Sequence, residues 1–144
     1  MTNEFIPYEE ALALKELGFD EKCISYYFSN GMFNDAAEED YTLHPGDKRF
    51  YSDSNSLLNE YAEGELKYKA VSAPLYQQAF RWFFKTYGYH GEVIQTTDKY
   101  NISRDEYQYG ICKTGEKPFY YNTYSNPEEA ELACLRKLIS LVKE

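Results

Sequence analysis

The alternation of hydrophobic and polar positions along the chain predicts three helices separated by strands. The stretch PYEEALALKELGF, residues 7–19, begins with Pro7, which suits the first helical position. Its Gly18 suits the left-handed residue that follows a helix. In residues 72–88, SAPLYQQAFRWFFKTYG, the apolar side chains fill an arc of about 200°, wider than the usual stripe of roughly 100°. We therefore expect this helix to contact two layers, with Trp82 buried.

The third predicted helix is the C-terminal stretch SNPEEAELACLRKLISLVKE. Asn126 suits the N-cap, Pro127 the first helical position, and Glu129 the acidic position of a capping box. The apolar residues of this stretch fall on one broad face, which predicts packing against a sheet. They are Ala130, Leu132, Cys134, Leu135, Leu138, Ile139, Leu141 and Val142.

Strand signals occur on both sides of the middle helix. Asn30-Gly31 lies between aromatic runs and predicts a hairpin with strands near 23–29 and 32–34. Residues 35–70 consist mostly of turn-forming and acidic residues, within which we expect a strand or helix that the pattern does not locate. Three strands are expected in the second half: 91–98, 105–114 and 118–124.

These elements predict an α+β fold. An N-terminal helix and a β-hairpin are followed by an α-β-β-β-α unit, with its helices packed on one face of an antiparallel sheet. The expected division is an acidic helix, hairpin and loop region at 1–71 and the α-β-β-β-α unit at 72–144, the two sharing one core.

Composition indicates an ordered protein, because 43% of its 144 residues are hydrophobic and 18% are aromatic. The three cysteines are far apart in sequence, which is typical of reduced thiols in a cytosolic protein. The start MTNEFIPYEEA lacks the basic and apolar regions of a signal peptide, and no apolar run approaches the roughly 20 residues that span a bilayer. We expect a soluble protein located in the cytoplasm.

The net charge of −9 is confined to the first half of the chain. Residues 1–33 contain six acids and two bases (−4), and residues 34–65 contain nine acids and two bases (−7). Lys67 and Lys69 return +2, and residues 71–144 balance nine acids with nine bases. Such a distribution repels nucleic acids and anionic membranes and attracts basic protein surfaces.

The sequence contains no catalytic or cofactor motif that we recognise. Its two histidines, His44 and His90, lie far apart, and no cysteine pair has the spacing of a zinc ligand set. A nucleophile elbow and a glycine-rich phosphate loop are also missing from the sequence. We therefore expect a protein that is not an enzyme and binds no cofactor or metal.

Two groups of residues are candidates for contact with a protein partner. The first is a run of carboxylates without the spacing of a calcium-binding loop: Asp35, Glu38, Glu39 and Asp40. The second lies on strands 105–114 and 118–124, where alternation predicts tyrosines on the sheet face that the helices leave open. These candidates are Tyr107, Tyr109, Tyr120 and Tyr124.

The α-β-β-β-α order of residues 72–144 resembles the topology of the double-stranded-RNA-binding domain. That family binds RNA through a basic cluster at the start of its last helix and through a Gly-Pro-x-His loop between its first strands. Here residues 126–131 read NPEEAE and residues 98–104 read DKYNISR. Because RNA binding by shape requires contacts to phosphates, we expect no nucleic-acid binding.

Three stretches, EFIPYEEALALKELGFDE, APLYQQAFRWFFKTYG and TYSNPEEAELACLRKLISLVK, resemble small proteins without assigned activity that are encoded by bacteriophages and prophages. The resemblance implies a phage accessory protein that acts inside a bacterial cell, and it assigns no functional residue. Our leading hypothesis is an acidic, non-enzymatic protein that binds a basic host or phage protein in counter-defence or host takeover. A nucleotide or small-ligand sequestering protein and a minor virion component are the alternatives.

Overall fold

The computed structural model of the chain describes residues 4–28, 33–34, 55 and 70–143. These residues belong to two compact units, Met1–Leu75 and Tyr76–Glu144. The sequence predicted a division after residue 71, and a core shared by the two parts stays a prediction.

The first unit begins with helix α1, Tyr8–Glu16. Pro7 precedes the helix as its N-cap, in an extended conformation, one position before its predicted place. At the other end the Phe19 N–H donates to the Leu14 carbonyl (2.9 Å) and the Gly18 N–H donates to the Lys15 carbonyl (3.0 Å). Gly18 has φ +98°, as this Schellman ending requires, so the predicted helix stop is confirmed.

Three antiparallel strands form the sheet of this unit in the order β2-β1-β3, with β1 at Tyr26–Phe28, β2 at Phe33–Asn34 and β3 at Ala70–Ser72. Tyr27 lies opposite Phe33 and opposite Val71. The predicted pairing of β1 with β2 is confirmed at these residues. β3, on which α1 packs, was not predicted, because three residues are too few to show an alternating pattern.

The core of the first unit contains side chains from α1, from β3 and from the segments beside them. Those with at most 3% exposure include Ile6, Ala11, Leu14, Phe19, Cys23, Val71 and Ala73. Tyr27 adds a polar tie, since its hydroxyl donates to the Ile6 carbonyl at 2.7 Å. Burial, together with the negative charge of Glu10, raises the pKa of Tyr27.

Asn55 is a buried polar side chain that joins two parts of this unit. Its Nδ2 donates to the Phe19 carbonyl (2.8 Å), and its Oδ1 accepts from the Ser72 N–H (2.9 Å). Both ends of the amide are therefore paired, which fixes β3 relative to the end of α1. The surrounding sequence SDSNS indicates only a turn, so this role was not predicted.

The second unit runs α2 (Tyr76–Tyr87), β4 (Tyr89–Thr97), β5 (Ser103–Lys113), β6 (Phe119–Tyr124) and α3 (Pro127–Lys143). Its strands form an antiparallel sheet in the order β4-β5-β6. A Cβ atom placed on Gly91 of β4 would meet Cys134 and Leu138 of α3 and Phe80 of α2. Both helices therefore cover one face of the sheet, and the predicted α+β fold is confirmed.

Helix α2 buries Tyr76, Ala79, Trp82 and Phe83. The Trp82 ring is 8% exposed and meets Phe83 edge to face at 5.1 Å, so its predicted burial is confirmed. Phe84, which belongs to the same apolar arc, is 48% exposed. The reason is position: α2 packs on β4, an outer strand of this sheet, which leaves part of the arc uncovered.

The connections around β5 and the start of α3 are closed by side chains. The Asp98 Oδ1 accepts from the N–H groups of Tyr100 (2.8 Å) and Ile102 (3.0 Å). This tight turn lets β5 begin at Ser103, two residues before its predicted start. The Asn126 Oδ1 accepts from the Glu129 N–H at 2.8 Å, which confirms the predicted N-cap of α3.

Candidate functional site

A bulge decides which sheet faces the tyrosine candidates occupy. Tyr107 pairs with Tyr124, and Gly110 pairs with Tyr120, so β6 holds one more residue than β5 between these pairs. Since successive residues of a strand alternate faces, this extra residue places Tyr120 and Tyr124 on opposite faces. The simple alternation predicted for 118–124, with both tyrosines on one face, was therefore wrong.

Most of the aromatic side chains gather on the helix side of the sheet. Tyr109 is 6% exposed, stacks on Tyr121 with ring centres 4.8 Å apart, and lies 6.1 Å from the Tyr124 ring. Burial raises the pKa of Tyr109 to about 12. Its phenol is therefore protonated at neutral pH and can donate a hydrogen bond. Tyr107 and Tyr124 are half-buried.

A groove of about 540 Å³, here called the α3 groove, opens between this cluster and α3. Its lining consists of Tyr109, Tyr124, Glu129, Leu132, Ala133, Arg136 and Lys137. The five α3 residues recur at intervals of three and four and therefore form one stripe of the helix. From Glu129 to Arg136 this stripe is about 10 Å long at a rise of 1.5 Å per residue.

Charged side chains lie at both ends of the apolar part of the α3 groove. Arg136 and Lys137 are near the middle of α3, whereas Glu129 is in its first turn. The Lys137 Nζ lies 5.6 Å from the centre of the Tyr121 ring, a cation–π distance that holds the ammonium beside the aromatic cluster. The lining therefore has a formal charge of +1, and the Lys137 ammonium favours an anion at the end of the groove away from Glu129.

A second groove of about 490 Å³ lies between α2 and β4. The residues that line it are Gln77, Phe80, Arg81, Phe84, His90 and Gly91. The rings of Phe84 and His90 meet edge to face at 6.0 Å, so the exposed part of α2 continues onto β4. This surface is more apolar than the α3 groove, and its lining offers no carboxylate.

On the sheet face away from the helices, the Tyr120 ring lies across Gly110. A Cβ atom on Gly110 would approach this ring to 2.7 Å, so the glycine makes room for the ring. The Tyr120 hydroxyl donates to the Glu92 Oε1 on β4 at 3.1 Å. This hydrogen bond, with the charge of Glu92, raises the pKa of Tyr120. Tyr120 is 42% exposed and is the most open of the four tyrosine candidates.

The three cysteines differ in burial and in their hydrogen bonds. Cys134 is fully buried, and burial raises the pKa of its thiol to about 12, so little thiolate forms at neutral pH. Cys23 is also buried, while the half-buried Cys112 donates from Sγ to the Glu116 carbonyl at 2.9 Å.

The described residues contain neither a cluster of metal-binding side chains nor a helix that could span a membrane. Across 4–28, 33–34, 55 and 70–143, no group of three or more His, Cys, Asp and Glu side chains could hold a metal ion. In the same part of the chain, each helix is too short or too polar to cross a bilayer.

Within residues 4–28 of the first unit, most of the acidic side chains are exposed. Glu4, Glu9, Glu16 and Asp20 are exposed, whereas Glu10 is buried. Glu9 and Glu16 are seven positions apart on α1 and therefore share one side of the helix. The candidates Asp35, Glu38, Glu39 and Asp40 lie outside the described residues.

Comparison of the chain with protein-family models, with curated proteins and with solved structures found no match. Functional inference therefore depends on the charges, grooves and exposed side chains described above.

Proposed function

We propose that the protein is a binding module that presents an acidic surface to a basic surface of a partner protein. The observation that carries this proposal is the segregation of charge: residues 1–65 sum to −11, whereas residues 71–144 sum to zero. In the described part of the first unit, Glu4, Glu9, Glu16 and Asp20 are exposed.

A one-sided charge of this size has two physical consequences. It accelerates the approach of a positively charged partner over distances of about a Debye length, and it disfavours polyanions such as nucleic acids. Binding of this kind depends strongly on ionic strength, because salt screens exposed charges. The partner that best complements such an acidic surface is a protein with a basic, nucleic-acid-binding surface.

The setting that we propose is the cytoplasm of a bacterial cell during phage infection. It is supported by the resemblance of both ends of the chain and of α2 to proteins encoded by bacteriophages and prophages. A phage protein with this charge distribution can occupy the DNA-binding surface of a host nuclease or polymerase, which would serve counter-defence or host takeover.

The experiment is affinity capture with the full chain from infected bacteria, followed by measurement of each purified partner by biolayer interferometry. We expect one or more basic partners whose association rate falls at least tenfold between about 50 and 500 mM salt, as exposed charges become screened. The first acidic variant carries Glu9→Gln, Glu16→Gln and Asp20→Asn. The second neutralises Asp35, Glu38, Glu39 and Asp40 in the same way.

The matched control neutralises three exposed acids of the second unit, Asp105→Asn, Glu106→Gln and Glu116→Gln. It removes as much charge as the first variant but leaves the acidic half intact. We expect the acidic variants to slow association and the control to leave it nearly unchanged. Equal effects of the control and the acidic variants, or partners whose binding ignores salt, would refute the proposal.

A further inference from the structure

The geometry points to the α3 groove as a binding site for a small planar molecule that carries an anionic group, the chemistry of a nucleoside monophosphate or an aromatic carboxylate. This site is separate from the acidic surface of the proposed function and rests on different residues. Its volume of about 540 Å³ lies within the range of about 300–1,000 Å³ that is typical of small-molecule sites.

The central part of the groove suits a planar ring. Tyr109 and Tyr124 supply aromatic surface, and Leu132 and Ala133 supply an aliphatic wall. Tyr109 already stacks on Tyr121 with an interplanar angle of 10°, so its orientation is fixed before any ligand arrives. A fixed aromatic surface loses little conformational entropy on binding, which favours a flat ligand over a flexible one.

The ends of the groove give the ligand a direction. Arg136 and Lys137 are adjacent and lie about two turns of α3 away from Glu129, or about 10 Å. A phosphate or carboxylate is therefore favoured beside the Lys137 ammonium and away from the Glu129 carboxylate. Glu129 can accept a hydrogen bond from an amino or hydroxyl group at the other end of the ligand.

The binding test uses NMR on the full ¹⁵N-labelled chain, titrated separately with AMP, GMP, CMP, UMP and indole-3-carboxylate. Adenosine and inorganic phosphate supply the ring alone and the anion alone. We expect saturable shifts of the amides of Leu132, Ala133, Arg136 and Lys137 with at least one ring-bearing anion. Adenosine and phosphate should each bind at least tenfold more weakly, since each lacks one half of the recognised chemistry.

Two kinds of variant assign the site. Ala133→Leu fills the groove, whereas Ser140→Leu adds the same bulk at an exposed position of the same helix. Lys137→Gln removes a charge from the groove, and Lys143→Gln removes one from the exposed last turn of α3. We expect Ala133→Leu to abolish binding and Lys137→Gln to weaken it about tenfold, while both controls bind as the parent chain does.

Several results would overturn the assignment. They are the absence of shifts with every compound, shifts confined to residues outside the groove, and undiminished binding by Ala133→Leu. If circular dichroism shows that Ala133→Leu does not fold, the affinities of Lys137→Gln and Lys143→Gln are compared instead. Equal affinities of these two variants refute the proposal. A preference for the monophosphates or for the carboxylate supports the site and identifies the source of the anion.

Discussion

Replacement of Gly91 by alanine tests the packing of the second unit most directly. Gly91 lies on β4 beneath α3, and a Cβ atom there would stand 2.9 Å from the Cys134 Sγ and 3.0 Å from the Leu138 Cδ1. Ordinary contacts between heavy atoms of this size lie at about 3.5–4.0 Å. Alanine therefore requires the buried Cys134 and Leu138 side chains, or the helix that carries them, to move by several tenths of an ångström.

The expected cost follows from the surroundings of Gly91. Its neighbours Cys134 and Leu138 are both fully buried, and β4 is paired with β5 along nearly its whole length. Overpacking of such a core costs about 1–3 kcal/mol. Alanine also adds about 0.4–1 kcal/mol to the free energy of unfolding, because it lowers the conformational entropy of the unfolded chain. We expect Gly91→Ala to lower the free energy of unfolding by about 1–2 kcal/mol.

Urea denaturation provides the measurement, with the fluorescence of Trp82, the single tryptophan, as a probe located in the second unit. The cause is tested by a double-mutant cycle with Cys134→Ala, which removes the nearest atom. In the Cys134→Ala variant, Gly91→Ala should lower the free energy of unfolding by at least about 0.5 kcal/mol less than it does in the parent chain. This difference is the lower end of the coupling energies found between residues in contact.

Gly110→Ala is the matched control on the neighbouring strand. Its Cβ would also meet a side chain, the Tyr120 ring at 2.7 Å, but that ring is 42% exposed and can rotate away. We expect Gly110→Ala to cost less than Gly91→Ala, because the exposed Tyr120 ring can move more easily than the buried Cys134 and Leu138 side chains. A neutral Gly91→Ala, or equal costs in both cysteine backgrounds, would refute the overpacking argument.

Three further predictions concern other buried groups. Asn55→Ala should lower the free energy of unfolding by about 2–4 kcal/mol in urea denaturation, because the Phe19 carbonyl and the Ser72 N–H lose their hydrogen bonds to the amide. The exposed Asn122→Ala is the control. Similar losses of stability in both variants would contradict the role given to the Asn55 amide. The pKa of Tyr109 is raised from 10.0 to about 12 in the folded state. Its contribution to stability is therefore fully present below pH 10.0 and is lost as the pH rises from 10.0 towards 12, because the unfolded chain releases this proton first. Chemical denaturation followed by circular dichroism should therefore show a smaller fall of stability over this pH range in Tyr109→Phe than in the parent chain, and parallel curves would count against it. In the native protein, Cys134 should resist alkylation by iodoacetamide at about pH 8, which is near the pKa of an ordinary thiol. It should react once urea unfolds the chain, and peptide mass spectrometry measures both rates. Rapid labelling of Cys134 in the native protein would be inconsistent with its burial.

Local signals in the sequence were sufficient for the end of α1, for the N-cap of α3 and for the order of elements in the second unit. Gly18 takes the positive φ that a helix stop requires, and Asn126 caps α3, because both depend on a few neighbouring residues. The broad apolar face of residues 72–88 likewise predicted the burial of Trp82. In contrast, β3 was missed because its partner β1 lies more than forty positions earlier in the chain.

The candidate site shows the same division between local and distant information. The tyrosines of β5 and β6 were found from composition and strand pattern, but their faces were set by a bulge that only the register of two strands reveals. The α3 groove was not predicted as a site. Its stripe from Glu129 to Lys137 is visible in the sequence, yet nothing there indicates that Tyr109 and Tyr124 lie beside it.

By itself, the sequence determined the helices and their caps, the α+β class and the concentration of negative charge in residues 1–65, since these depend on residue type and short-range spacing. Only the tertiary structure decided which face of the β4-β5-β6 sheet the helices cover, why Gly91 and Gly110 lack side chains, and which tyrosines meet α3. The physical reason is that these features arise from contacts between residues distant in sequence, where strand register and packing choose among arrangements that local preference leaves equivalent.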